Sequence, residues 1–174
     1  MSEQRQTAGE LYRAHASFVA GFLHRLGVPR DEMEDVLQDV FVVAHQRGGF
    51  SPGLAKPTTW LAEIALRVWS NRKRSSRRRP TEPVENLESR LQAGDDPEQT
   101  LRRRQALERV QRCLEGLDLD HRAVFVLFEL EGESCADIAR ALNVPLGTVH
   151  RRLHVARGRF QEAYAKLEGG DDRG

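Results

Sequence analysis

Ser134-Cys-Ala-Asp-Ile-Ala-Arg-Ala-Leu-Asn-Val-Pro-Leu-Gly-Thr-Val-His-Arg-Arg-Leu-His-Val-Ala-Arg157 is two short helical patterns joined by a tight turn. Ile138, Ala139 and Leu142 fall on one face of the first pattern, and Val149 and Leu153, four apart, line the inner face of the second. Asn143 tolerates a left-handed backbone at a helix end, and Pro145 blocks continuation of the first helix. Ala139 is small where the two helices must cross closely. These features make a helix-turn-helix signature and imply DNA reading. The outward positions of the second helix are His150, Arg151, His154 and Arg157, and arginine there can contact phosphate or the acceptors of guanine in the major groove. Thr148 falls in the first turn, where its hydroxyl and the free backbone N–H groups can hold a phosphate. The competing reading is an ordinary helical hairpin with a basic outer face. Few such hairpins combine the turn, the small residue and the basic face.

The rest of the chain narrows what such a motif belongs to. With 174 residues, 39% of them apolar, there is material for one or two compact domains. No apolar run approaches the roughly 18–20 residues needed to span a bilayer, and the amino terminus is polar through Glu10, without an apolar signal-peptide core. A cytoplasmic protein without membrane insertion is expected. Cys113 and Cys135 are far apart and each lies in a helical pattern, which indicates packing rather than a disulfide framework or a zinc knuckle. His150 and His154 have the i, i+4 spacing of a helical metal pair, but no glutamate follows His150 and no third ligand is near, so DNA-facing or solvent-facing histidines are the better reading. No nucleotide-binding glycine loop, nucleophile arrangement or metal cluster is visible. The chain is therefore expected to be no enzyme and to need no cofactor.

Net charge is +1, yet it is unevenly spread. Between residues 51 and 80, eight basic side chains stand against the single acid Glu63, a local +7, whereas residues 81–100 carry one basic and six acidic groups, a local −5. The basic block is strong enough to attract a phosphate backbone although the whole protein is nearly neutral.

Periodicity places a first helix on Leu11, Ala14, Phe18, Phe22 and Leu26, ending at Gly27, Val28 and Pro29. Asp31 and Glu34 form a possible capping box for a second helix over Asp31 to Arg47, with Val36, Leu37, Val40, Phe41 and Ala44 on one face. A Gly/Pro/Ser-rich loop precedes a third helix starting near Thr58 or Thr59, in which Trp60 and Trp69 sit with the apolar stripe and read as core. After the run Arg72 to Arg79, residues 80–98 have the composition of a flexible acidic linker. Leu107, Val110, Leu114 and Leu117 mark a further helix, and a shorter one follows from about Asp120 to Leu130. The second unit thus contains four helices and ends near Leu167, with Gly169 to Gly174 expected as a disordered tail and no appended sensor domain. Nothing alternates with period two. The fold class is all-α, two small helical domains at 8–79 and 99–168.

This arrangement resembles the extracytoplasmic-function (ECF) subfamily of bacterial RNA polymerase sigma factors over nearly the whole chain. The resemblance rests on Glu34 to Phe41 (Glu-Asp-Val-Leu-Gln-Asp-Val-Phe), Thr59 to Ala65 (Thr-Trp-Leu-Ala-Glu-Ile-Ala) and Pro145 to His154, in that order and spacing. It implies that the first domain is similar to sigma region 2 and that Glu34, Asp35, Gln38 and Asp39 dock on the clamp helices of the polymerase largest subunit. Their spacing agrees, since Asp35, Gln38 and Asp39 share one polar face suited to basic partner helices. A merely solvated acidic face is the equal alternative. The loop from Phe50 to Thr59 and the next helix resemble the part that captures the unwound strand of the minus-ten element. Phe50, Lys56, Arg67, Asn71, Arg72 and Arg74 are its candidates, because such capture needs stacking surfaces and cations along the backbone. Arg67 stands where many relatives carry Asn. The second domain is similar to sigma region 4, which implies minus-thirty-five readout by His150, Arg151, His154 and Arg157, with Thr148 and Arg152 on phosphates. Val155 stands where relatives often have Arg. The implied partners are core polymerase (clamp helices and beta flap), promoter DNA and a cognate anti-sigma factor. A stand-alone helix-turn-helix regulator is the alternative, and it leaves Glu34 to Phe41 without a purpose.

Overall fold

The computed structural model describes residues 5–53, 55–76 and 97–171. Among them are seven α-helices: α1 (Ala8–Arg25), α2 (Arg30–Gln46), α3 (Pro57–Ser76), α4 (Pro97–Glu115), α5 (Leu119–Phe125), α6 (Cys135–Leu142) and α7 (Leu146–Asp171). A turn of π-helix, Val126–Leu130, extends α5. The expected all-α architecture holds. Most of the expected linker and Arg77, Arg78 and Arg79 lie outside the described residues, and Pro97 and Glu98 at its end already belong to α4.

The first three helices pack against one another. Thr7 caps α1 in a capping box: its hydroxyl accepts from Glu10 N–H at 3.3 Å, and the Glu10 carboxylate accepts from Thr7 N–H at 2.7 Å. The Thr7 N–H and hydroxyl both donate to the Glu10 carboxylate and hold it below its usual range. Leu11, Phe22 and Leu26 face the core as expected, joined by Val19 and Leu23, whereas Ala14 is exposed. From α2 come Val36, Val40, Phe41 and Ala44, and from α3 Leu61, Ile64, Ala65 and Trp69. Truncating one of the large members, such as Phe22 at 1% exposure, to alanine costs about 3–5 kcal/mol. The capping box expected at Asp31 and Glu34 is not formed; Pro29 is the N-cap of α2 and makes no side-chain bond there. Pro29 stays extended (ψ 153°), and the helix begins at Arg30.

A short strap precedes α1. Gln6 and Phe50 exchange two backbone hydrogen bonds of 2.9 Å. Gly49, with φ +83°, lets the two segments meet, since a Cβ there would lie 2.2 Å from the Gln6 carbonyl oxygen.

In the C-terminal four helices, Leu114, Val124, Leu127, Ile138, Val149, Leu153 and Ala156 share a core. Phe125 stacks on Phe160 of α7 at 4.7 Å between centroids. Cys113 is buried and Cys135 half-buried, both free thiols. α7 continues through Gly169 to Asp171, past the end expected near Leu167. No helix among the described residues is long and apolar enough to cross a membrane.

A buried arginine joins the two bundles. Arg122 of α5 donates to the Leu26 carbonyl oxygen at the end of α1 and to that of Leu117, each at 3.0 Å. Burial pushes its pKa down. Two ion pairs also cross between the bundles, Arg25 with Glu131 at 2.5 Å and Lys56 with Glu133 at 3.2 Å.

Candidate nucleic-acid and docking interfaces

The helix-turn-helix is built as its sequence requires. Ser134 caps α6, accepting from Asp137 N–H at 3.0 Å and donating its hydroxyl to the Asp137 carboxylate at 2.6 Å. That hydroxyl and the neighbouring Arg140 guanidinium hold the Asp137 carboxyl below its usual range, against the effect of burial. Asn143 ends α6 in the left-handed region (φ 52°, ψ 50°), and Val144 N–H closes the turn on Ala139 at 3.1 Å. α7 then turns Val149, Leu153 and Ala156 inward.

Its outward side divides into two sets. His150, Arg151 and His154 are exposed. Arg152 and Arg157 lean back onto the preceding segment: Arg152 pairs with Asp120 at 2.8 Å, and Arg157 pairs with Glu129 at 2.5 Å while lying 5.1 Å over the Phe128 ring. Thr148 is half-exposed in the first turn, and Val155 is half-buried.

In the N-terminal bundle, Glu34, Asp35 and Gln38 are exposed on α2, and Asp39 is half-buried. Arg67, Asn71 and Arg74 are exposed at i, i+4 and i+7 along α3. Arg72 pairs with Asp39 at 3.0 Å and with Glu32 at 3.5 Å, so a residue expected to touch polymerase and one expected to touch DNA hold each other. Phe50, expected as a base-stacking residue, is 5% exposed, with its ring 5.7 Å from Trp60 and its backbone tied to Gln6. In this arrangement it shapes the loop rather than presenting a face to it. Trp69 is core at 6% exposure, and Trp60 is half-buried.

Three residues at these sites carry charges that periodicity did not single out. Glu63 (7% exposed) holds Arg47 at 2.6 Å and Arg67 at 2.8 Å, and Glu133 (5% exposed) holds Lys56. Arg122 completes the seam between the bundles. The available signal is composition: Glu63 is the sole acid of the basic block and interrupts an apolar run, and Arg122 is followed directly by Ala-Val-Phe-Val.

Two helical bundles, one pairing an acid-edged helix with a cationic one and the other carrying a helix-turn-helix, define a two-part DNA-binding protein. Residues 11–79 match the family described as Sigma-70 region 2, and residues 107–160 match Sigma-70, region 4. The chain is 32% identical over 138 residues to the ECF RNA polymerase sigma-E factor of Escherichia coli (strain K12), covering 75% of this chain and 72% of that protein. It is 30% identical over 157 residues to the RNA polymerase sigma-H factor of Pseudomonas aeruginosa, covering 86% and 81%. It is 29% identical to the ECF RNA polymerase sigma factor SigM of Mycobacterium tuberculosis, covering 95% and 81%. Its fold is like that of the sigma factor RpoE of Bartonella quintana, solved in complex with the anti-sigma factor NepR (TM-score 0.67, 22% identity, 89% of this chain and 94% of that one). It is also similar to CnrH, solved with the cytosolic domain of CnrY (TM-score 0.59, 26% identity, 93% and 88%). The chain belongs to the ECF sigma factors of the sigma-70 family.

Proposed function

We propose that the chain binds core RNA polymerase, directs it to promoters with two recognised elements and promotes their opening, with no catalysis of its own. The observation that carries this reading is the presence of both parts in one chain: a region 2 bundle with an exposed acidic helix face, and a region 4 bundle whose α7 leaves His150, Arg151 and His154 open to solvent. Glu34, Asp35, Gln38 and Asp39 dock on the clamp helices of polymerase, and the C-terminal bundle docks on its beta flap. Lys56, Arg67, Asn71, Arg72 and Arg74 meet the unwound minus-ten strand, and Phe50 supports the loop that presents it. His150, Arg151, His154 and Arg157 enter the major groove at minus thirty-five, with Thr148 and Arg152 on phosphates.

Dividing recognition between two modules lets each bind weakly while polymerase fixes their separation and raises the effective concentration of the second contact. Free protein therefore binds promoter DNA poorly. A cognate anti-sigma factor restrains the protein in the cytoplasm; two similar structures are complexes, one of them with a named anti-sigma factor. The test is run-off transcription from promoters selected by the reconstituted holoenzyme. A transcript dependent on both polymerase and this chain is expected. Tight operator binding by residues 97–171 alone, with no transcript from any selected promoter, overturns the reading.

A further inference from the structure

Glu63 has no part in the contacts proposed above. It stands on α3 between Ala62 and Ile64, both at 0% exposure, and is itself 7% exposed. Both carboxylate oxygens are in use: Oε2 accepts from Arg47 Nη1, just past the end of α2, at 2.6 Å, and Oε1 pairs with Arg67 Nη2, one turn along α3, at 2.8 Å. A carboxylate removed from water is costly unless paired, and two guanidiniums meet that need here. An isolated i, i+4 pair on an open helix surface is weak and readily exchanged for water. This pair has one partner anchored in the core and held by a second cation from another helix.

Arg67 is the opposite case, with its side chain 62% exposed. A guanidinium carries five N–H donors in a rigid planar fork. Arg67 Nη2 is tethered to Glu63 Oε1, which restricts where the guanidinium can lie, while most of the side chain stays exposed. The same exposed face carries Asn71 and Arg74 further along α3.

We infer that Glu63 is a positioning residue: the Arg47–Glu63–Arg67 bridge holds the Arg67 guanidinium in one orientation, so that its free edge takes a two-acceptor group of the unwound strand, either an unpaired base edge or a phosphate. This rests on reading α3 as the minus-ten face. Pre-setting the fork removes part of the ordering cost of binding and fixes which acceptor it meets.

The test uses holoenzyme reconstituted with wild-type, Glu63→Ala, Glu63→Gln, Arg67→Ala and the Glu63→Ala/Arg67→Ala pair, assayed on promoters carrying each base at each minus-ten position. Affinity for core polymerase is measured alongside and is expected to stay unchanged. Glu63→Ala is expected to reproduce the Arg67→Ala profile, with a loss of about tenfold. In the Arg67→Ala background it is expected to add less than about twofold, the signature of two residues acting as one unit. A loss confined to one promoter position identifies a base edge; a uniform loss with a shallower salt dependence identifies a phosphate. Either way the profiles of the two single variants coincide. Glu63→Gln keeps the volume and an acceptor and gives an intermediate loss; it carries the same comparison if Glu63→Ala melts early. The inference is overturned if Glu63 variants keep the wild-type profile while Arg67→Ala loses it, or if their effect persists undiminished in the Arg67→Ala background. Absence of any transcript from wild-type holoenzyme overturns instead the promoter-reading function on which the inference stands.

Discussion

The two bundles carry their cations in opposite ways. On the N-terminal bundle, Arg67, Arg72 and Lys56 are each tied to an acid, and two of those acids, Glu63 and Glu133, are buried. On the C-terminal bundle the exposed centre of α7, His150, Arg151 and His154, is open, and the paired arginines Arg152 and Arg157 flank it. Under the proposed function, the difference matches what each surface would meet. Duplex DNA presents a regular groove, and a helix with open side chains reads it position by position. An unwound strand has no fixed shape, so the protein must supply the geometry in advance. Substitutions should therefore spread their effects through neighbours in the first bundle and stay local in the second.

The largest expected effect lies at the seam between the two. Arg122→Met keeps bulk but leaves the Leu26 and Leu117 carbonyl oxygens without their charged donor. Two such bonds are worth about 1.5–3 kcal/mol each, and relief of the guanidinium's own burial cost brings the net loss to about 3 kcal/mol. For a chain of this length the melting temperature should fall by about 6–12 °C. Scanning calorimetry is expected to show the wild type melting in one transition and the variant in two, as the bundles uncouple. A shift below about 2 °C would mean that the seam contributes nothing and that the bundles can be compared as independent domains.

Next in size is the proposed groove face. Arg151→Ala should reduce discrimination at one minus-thirty-five position by about 1–3 kcal/mol, roughly five- to 150-fold, in holoenzyme transcription from base-substituted promoters. Changing its acidic surroundings, for example Asp120→Asn, should leave that base profile intact, because Asp120 holds Arg152 and not Arg151. A profile altered by Asp120→Asn would break the contrast drawn between the bundles.

A smaller effect is expected where a cation of the first bundle is held by the second. Lys56 is 61% exposed on its side chain, so its pair with Glu133 is largely screened and worth at most about 1 kcal/mol. Glu133→Gln should raise the affinity of free protein for a single-stranded minus-ten oligonucleotide by no more than about fivefold, read by fluorescence anisotropy. An unchanged affinity would show that Lys56 is not restrained by the contact.

This contrast also marks what could be read in the sequence. The turn and inner face of the helix-turn-helix were legible, because their signals are local: Asn143 in the left-handed region, Pro145 after it, and Val149 and Leu153 four apart; that Arg157, expected on the outward face, folds back onto Glu129 was not. All seven helices were foreseen for the same reason. The π turn at Val126–Leu130 was not, since its geometry leaves no period in the apolar residues. Nor were the pairs Arg47–Glu63, Lys56–Glu133 and Arg72–Asp39, whose partners lie on different elements and meet through packing alone. Phe50 was assigned to a base because aromatic residues in a loop suit stacking, but its pairing with Gln6 turns it inward. The open half of the candidate site was thus visible in advance, and the preorganised half required the fold.

The smallest effect separates two uses of an acid. Glu63 holds a cation of the proposed reading face, whereas Asp137 closes the cap of α6 through Ser134. The Ser134 hydroxyl, with Arg140 and Lys56 nearby, keeps the Asp137 carboxyl below its ordinary 3.8. For a carboxyl so lowered, the unfolded chain binds the proton more readily than the folded one. Its stabilisation is therefore fully present above pH 3.8 and is lost as pH falls through the folded value. Hydrogen exchange at the start of α6 should accelerate in that range, and Asp137→Asn should remove this pH dependence while leaving the base profile of Arg151 unchanged at neutral pH. If Asp137→Asn did alter that profile, capping and reading would be coupled in the C-terminal bundle as well, and the division between a preorganised face and an open one would no longer hold.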